Sequence, residues 1–160
     1  MKPTPFTPDT DLAPIPFSPE LCQFASQLKQ NGLIWHPHVG CFVWDKDQHI
    51  PVSSPFPHRI YFILNMGHFL KIFESTSKMV EQLVWLPTCH QARLVCEQLS
   101  IPSKKINEKR LTKSQNGDDL INLYQIILEI LKDRKATPQW DIRIIVISWI
   151  RMIEIFFPDS

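Results

Sequence analysis

The stretch RIYFIL, residues 59–64, is the strongest β-strand signal in the chain and decides the fold class. Its β-branched and aromatic residues are typical of strands, and a nearly continuous apolar run indicates a strand covered on both faces. A shorter strand is predicted at CFVW, residues 41–44, and the turn residues DKDQ follow it. HIPV, residues 49–52, is expected to return as an edge strand, because Pro51 lacks a backbone donor. The sequence therefore predicts a small antiparallel hairpin or three-strand sheet.

Helical patterns surround these strands. Before the sheet, Ser18 is a suitable helix cap and the apolar stripe that follows it ends at Gly32. Three helices are expected after the sheet, and they cover residues 66–73, 78–86 and 89–99. Ser77 is the expected cap of the second, and Thr88 with Gln91 gives the third a capping-box pattern. Several helices beside a small sheet indicate an α+β fold.

Two apolar helices are predicted at the C-terminal end of the chain. The first begins at Asp118 and carries basic residues near its end, where they favour the helix dipole. The second covers WDIRIIVISWIRMIEIFF, residues 140–157, where polar positions recur at helical spacing. The isoleucine-rich part of this segment is also compatible with a strand. Its charged residues argue against a membrane span.

Composition divides the chain into a proline-rich extended arm (1–17), an α+β body (18–101), a basic linker (102–117) and an apolar helical pair (118–160). Proline density blocks helix in the arm, and Phe6, Ile15 and Phe17 are the side chains suited to hold it on the body. No aromatic residue interleaves with the bases of the linker, so a solvated linker is favoured over nucleic-acid contact. The helical pair is expected to pack on the body or on a partner.

Several function classes are made less plausible by composition. A net charge of +1 gives no general attraction to nucleic acid. The 4 glycines lie far apart, so no phosphate-binding loop is present, and neither GxSxG nor HExxH occurs. The N-terminal residues lack the apolar core of a secretory signal, and no two of the 4 cysteines form a CxxC pair. Reduced thiols in a cytoplasmic chain are therefore expected.

The segment HPHVGC, residues 36–41, is the best candidate for a metal site. His36 and His38 project to the same side of an extended chain, and Cys41 follows within reach if Gly40 bends the backbone. A further zinc ligand would have to come from elsewhere, with His58 and His49 the obvious donors. The spacing is not a well-attested zinc signature, and the rim of a β-hairpin explains the same residues. The hairpin rim is the favoured interpretation, and no metal or other cofactor is expected.

Cys89 is the candidate reactive thiol. It opens a capped helix, where backbone N–H groups stabilise a thiolate, and Arg93 lies one turn further on. The adjacent His90 diverges from it by about 100° around the helix, which places it badly as an activating base. A buried cysteine at a helix start is therefore favoured over a nucleophile, and no catalytic residue is assigned.

The leading hypothesis is a small non-enzymatic cytoplasmic protein that acts by protein–protein contact, in an adaptor, assembly or regulatory accessory role. Self-association or partner docking is expected through the C-terminal helices, at Leu123, Ile127, Ile130, Trp140, Ile145, Trp149, Ile153 and Phe156. The proline-rich arm and the loop PVSSPFP, residues 51–57, are further shapes that a partner could read. The first alternative is a metal- or thiol-dependent enzyme. The second alternative is a peripheral membrane protein that binds through the last helix.

Overall fold

The computed structural model describes residues 15–104, 106 and 119–136. Its helices are α1 (Pro19–Gln30), α2 (Met66–Phe73), α3 (Thr76–Gln82), α4 (Cys89–Gln98) and α5 (Asp119–Ala136). Its strands are β1 (Phe42–Trp44), β2 (Ile60–Phe62) and β3 (Val84–Leu86), with a single 3-10 turn at Pro57–Arg59. The α+β fold class with a C-terminal helix is thereby confirmed.

The three strands form one antiparallel sheet with β1 in the centre, in the order β2-β1-β3. Val43 lies opposite Tyr61 on one side and Trp85 on the other. Phe42 lies opposite Phe62 and Leu86, and these three residues belong to the other face of the sheet. Side chains alternate along each strand, so the sheet presents two apolar faces.

Two of the three strands are as predicted, since β1 lies within residues 41–44 and β2 within residues 59–64, but the expected edge strand at 49–52 is replaced by another. Residues 49–52 form no strand, because the buried Asp45 carboxylate binds the backbone N–H groups of His49 and Ile50 at 2.8 and 2.9 Å. The third strand comes instead from residues 84–86, which the apolar pattern had assigned to a helix. Leu83 has an extended backbone with ψ 153° and ends α3 early, which frees these residues to pair with β1.

One face of the sheet packs against α1, with α5 lying across α1 and α4. Leu28 of α1 and Ile127 of α5 are fully buried in this cluster, together with Ile60 and Leu86 from the sheet. The hydroxyl of Tyr124 donates to the carbonyl of Pro87 at 2.7 Å, so its one polar atom is satisfied. The C-terminal helix is thus part of the core of this chain.

The opposite face packs against α2 and α3. Val43, Met79 and Leu83 are fully buried here, and Phe73 is nearly so. Trp35 stacks on the ring of Trp85 with 6.0 Å between centroids and 10° between planes. Helices therefore cover both sides of a sheet only three strands wide.

Several predicted segments lie outside the residues described. They are most of the arm (1–14), the greater part of the basic linker and the second C-terminal helix at 140–157. Within the ranges that the structure does describe, no helix is long and apolar enough to cross a bilayer.

Candidate functional site

The segment HPHVGC makes a tight turn that brings one histidine to the cysteine. Gly40 has φ +98°, a conformation that disfavours other residues, and the N–H of Cys41 donates to the His38 carbonyl at 3.3 Å. The Cys41 Sγ atom then lies 3.4 Å from His38 Nε2. His38 Nδ1 lies 2.7 Å from the Val39 carbonyl, which can only accept, so the contact fits the Nδ1–H tautomer, in which Nε2 can accept from the thiol.

The other proposed zinc ligands do not join this pair. His36 and His58 are both exposed, and His58 sits in a 3-10 turn with φ 59°. In residues 15–104, 106 and 119–136, no three His, Cys, Asp or Glu side chains are grouped so that they could hold a metal ion. What the structure brings together is therefore a two-residue contact between His38 and Cys41.

The Cys41 thiol is fully buried, and this decides its chemistry. Burial raises the pKa of the thiol, and this effect outweighs the opposing influence of the His38 backbone. A buried, protonated thiol is a poor nucleophile and a good packing group. Cys41 therefore holds the turn against the apolar cluster between the sheet, α2 and α3.

Cys89 takes the position that the sequence predicts, at the first residue of α4. The Thr88 hydroxyl accepts from the Gln91 N–H at 3.3 Å, and the Gln91 side chain accepts from the Thr88 N–H at 2.9 Å, so the predicted capping box is confirmed. The cysteine is half-buried against the core between the sheet and α1, while His90 is exposed. The two side chains thus lie in different environments.

The predicted interface residues of the first C-terminal helix are used inside the chain. Leu123 and Ile127 are 4% and 0% exposed in the core shared with α1 and α4, and Ile130 packs half-buried beside them. The remaining five predicted interface residues lie beyond the described part of the chain, at Trp140, Ile145, Trp149, Ile153 and Phe156.

An open apolar groove of about 600 Å³ runs along the outer edge of β2. We call it the edge groove. One wall is the loop at 50–56, the floor is β2, and the other wall is α2. Its lining is Ile50, Val52, Ser53, Pro55, Phe56, Tyr61, Phe62, Leu64, Asn65, His68, Phe69 and Ile72.

A polar network behind the loop wall holds the edge groove open. Arg59 donates to the buried Asp45 carboxylate at 2.8 Å and to the Ile50 carbonyl at 2.6 Å. Its guanidinium lies 5.8 Å from the ring centroid of Tyr61, whose hydroxyl donates to the Val52 carbonyl at 2.6 Å. The loop is therefore fixed at two carbonyls, and the groove is preorganised.

The floor of the edge groove offers backbone groups as well as apolar surface. The Arg59 carbonyl and the N–H and carbonyl of Ile63 bond toward the β1 side. Because these directions alternate along an antiparallel strand, Ile60 and Phe62 point their backbone groups outward. The Ser54 hydroxyl donates to the Ile60 carbonyl. The backbone groups of Phe62 therefore face an edge at which no further strand of the described sheet pairs.

Sequence reasoning pointed to one wall of this site and missed the rest. The loop PVSSPFP was recognised as an exposed shape, but Leu64 was assigned to a doubly covered strand and is 74% exposed. The available signal was the pair of opposite charges, Asp45 and Arg59, placed at the boundaries of two apolar strands. A buried carboxylate needs such a partner, and the pairing fixes the loop between them.

Comparison of the chain with family models, with curated proteins and with solved structures gave no match in any of the three. Geometry and chemistry of the described residues are therefore the basis for a functional proposal.

Proposed function

We propose that this chain is a small non-enzymatic protein that acts by binding other protein chains, in an adaptor, assembly or regulatory accessory role. The edge groove is the observation that carries the proposal. Two aliphatic residues of its lining, Leu64 and Val52, are 74% and 56% exposed. Aromatic rings line the same groove. Contiguous exposed apolar surface on a soluble domain is typical of a binding site.

An extended peptide is the partner that fits this groove. The groove follows a strand edge, and Phe62 offers outward backbone groups there. Aromatic walls from Phe56 and Phe69 favour proline and aromatic side chains in an extended chain. No Asp, Glu, Lys or Arg lines the groove, so an uncharged segment suits it.

Selection of displayed random peptides on the full-length chain tests this proposal. We expect enrichment of apolar, proline-containing sequences whose binding is lost in Leu64→Gln. The matched control is Ile34→Gln, because Ile34 is an equally exposed aliphatic residue, at 78%, and does not line the groove. Failure to enrich any sequence, or equal binding to both variants, would contradict the proposal.

Self-association through residues 140–157 is the second part of the proposal. Both faces of the sheet are already covered by described helices, so this apolar segment is not needed to close either core. Size-exclusion chromatography with light scattering tests it on the full chain and on a chain that stops after Ala136. We expect an oligomer that the truncation converts to a monomer, and a strictly monomeric full-length chain would end this part.

A cytoplasmic location belongs to the same proposal. All four cysteines are free thiols, and Cys22, Cys41 and Cys96 are buried. Unpaired cysteines are typical of a reducing compartment.

A further inference from the structure

A cleft of about 260 Å³ lies between α4 and α5, and we call it the helix cleft. Residues of α4, of the segment that follows α4 and of the first two turns of α5 line it. Its deep part is apolar, because Ile101, Leu123 and Ile126 are all buried. The helix cleft and the edge groove share no lining residue, so they are separate cavities.

A polar side chain, that of Asn122, is buried in the lining of the helix cleft and is only 4% exposed. Neither its amide nitrogen nor its amide oxygen has a hydrogen-bond partner in the part of the chain that the structure describes. Asp45, which is also buried, binds two backbone N–H groups and a guanidinium. Buried polar side chains are normally hydrogen-bonded, so an unpaired one calls for a specific cause. Asn122 therefore gives the cleft an unused donor and an unused acceptor.

The outer part of the helix cleft carries charges of both signs. Arg93 and Glu97 are exposed residues of α4, and Asp119 is the first residue of α5. One guanidinium among two carboxylates gives no electrostatic preference for an anion, so a neutral ligand is favoured. The planar guanidinium of arginine also stacks well on flat rings. An uncharged ligand with an aromatic face therefore suits the outer part of the cleft.

The size of the helix cleft suits one flat ring system. An apolar cavity of about 150 Å³ is large enough to bind benzene, so a cleft of about 260 Å³ has room for a heterocycle of one or two rings. A carboxamide carries a donor beside an acceptor and pairs with an edge that carries the same two groups in the opposite order. Asparagine pairs in this way with the amino group and the ring nitrogen of adenine. A nucleobase-like edge therefore satisfies both unpaired atoms of Asn122.

We propose that the helix cleft binds an uncharged nitrogen heterocycle of nucleobase size, held by two hydrogen bonds to the Asn122 carboxamide. The faces of the ring contact Ile101, Leu123 and Ile126, and Arg93 stacks on it in the outer part of the cleft. Because α4 and α5 both line the cleft, the bound ligand joins them and raises the unfolding temperature. The chain would then bind a small molecule at a site distinct from its peptide groove.

Titration of the ¹⁵N-labelled full-length chain with free adenine and free cytosine tests the inference. Each base carries an amino group beside a ring nitrogen, and the matched controls are purine and 2-hydroxypyrimidine, which lack the amino group. We expect saturable shifts at backbone amides within residues 93–103 and 119–126 with at least one base. Its amino-free analogue should bind about tenfold more weakly or worse, because one of the two hydrogen bonds is lost.

The variant Asn122→Leu separates ligand binding from folding. Leucine has a similar shape and removes the unpaired amide, so the variant should fold at least as stably as the native chain. We expect it to bind the base about tenfold more weakly or worse. The matched control is Gln125→Leu, because Gln125 is a half-buried residue of α5 that does not line the cleft, and it should bind the base as the native chain does.

Four outcomes would overturn the inference. They are the absence of saturable shifts with both bases, equal affinity for a base and its amino-free analogue, equal binding to Asn122→Leu and the native chain, and shifts centred on residues 50–72. None of them concerns the binding of peptides in the edge groove, so the proposed function stands or falls by its own test.

Discussion

At the scale of single residues, the features that could be predicted are those that depend on near neighbours. The capping box of Thr88 and Gln91 was readable because both partners lie within one helical turn. The separation of His58 from His38 and Cys41 could not be read, because it depends on a turn with left-handed backbone at His58 and Arg59. Distances between residues far apart in sequence follow from such turns.

Asp45 is expected to be the most sensitive residue of the polar network behind the edge groove. Asp45→Ala leaves the N–H groups of His49 and Ile50 and the guanidinium of Arg59 without their acceptor. Loss of a buried charged partner should lower the free energy of unfolding by about 3 kcal/mol, measured by denaturant titration. The matched control is Asp47→Ala, an exposed residue of the same turn, which should change it by less than about 0.5 kcal/mol. Equal losses in the two variants would contradict the role given to Asp45.

The buried thiol of Cys22 is expected to make the folded chain less stable at alkaline pH. Burial raises the pKa of this thiol from 9.0 to about 11. The unfolded chain therefore releases the proton first, so the contribution is intact below pH 9.0 and is lost as pH rises toward about 11. We expect Cys22→Ala to show a smaller fall in unfolding free energy than the native chain across this range, with Gln23→Ala as control. Parallel curves for native chain and Cys22→Ala would argue against this effect.

At the scale of elements, helices with strong local signals and the first two strands were predicted to within a few residues, and the third strand was not. The bounds of α2 match the prediction, whereas residues 84–86 were expected to be helical. Val84 and Leu86 are buried on one face with Trp85 turned to the other, which is a strand pattern too short to separate from a helical one. Residues 84–86 become a strand because β1 has a second edge with which they can pair. Sequence periodicity carries no information on whether that edge is available.

The start of α3 gives a direct test at this scale. Ser75 accepts from the Lys78 N–H at 3.2 Å, so it caps the helix in place of Ser77. Ser75→Ala should lower the unfolding free energy by about 1 kcal/mol, whereas Ser77→Ala should have little effect. Chemical denaturation of both variants measures this. A larger loss for Ser77→Ala would place the cap where the sequence alone had put it.

At the scale of the whole molecule, the amphipathic pattern of α5 identified its apolar face and left open what would cover it. The structure places α1 and α4 against that face. Assignment of the cover required knowing that α1 lies across the sheet beside β3, a contact between distant parts of the chain. The edge groove escaped prediction for a related reason, because a strand edge becomes a site only when no neighbour pairs with it.

Truncation on either side of α5 tests its place in the core. A chain that stops after Ala136 should keep a cooperative thermal transition, because α5 retains Tyr124, Ile126 and Ile127 in the interior. A chain that stops after Gly117 should lose that transition, since removal of α5 uncovers α1 and α4. Circular dichroism at increasing temperature measures both. Cooperative unfolding of the shorter chain would contradict the packing described for α5.

The most direct test of the edge groove is a titration followed by ¹H–¹⁵N NMR. The labelled full-length chain is titrated with a synthetic uncharged peptide in which one aromatic residue stands between prolines. We predict saturable shifts at backbone amides within residues 50–72, and none with the same peptide in which alanine replaces the aromatic residue. Shifts spread over other surfaces, or identical shifts with both peptides, would contradict the claim that this groove binds an extended proline-flanked aromatic segment.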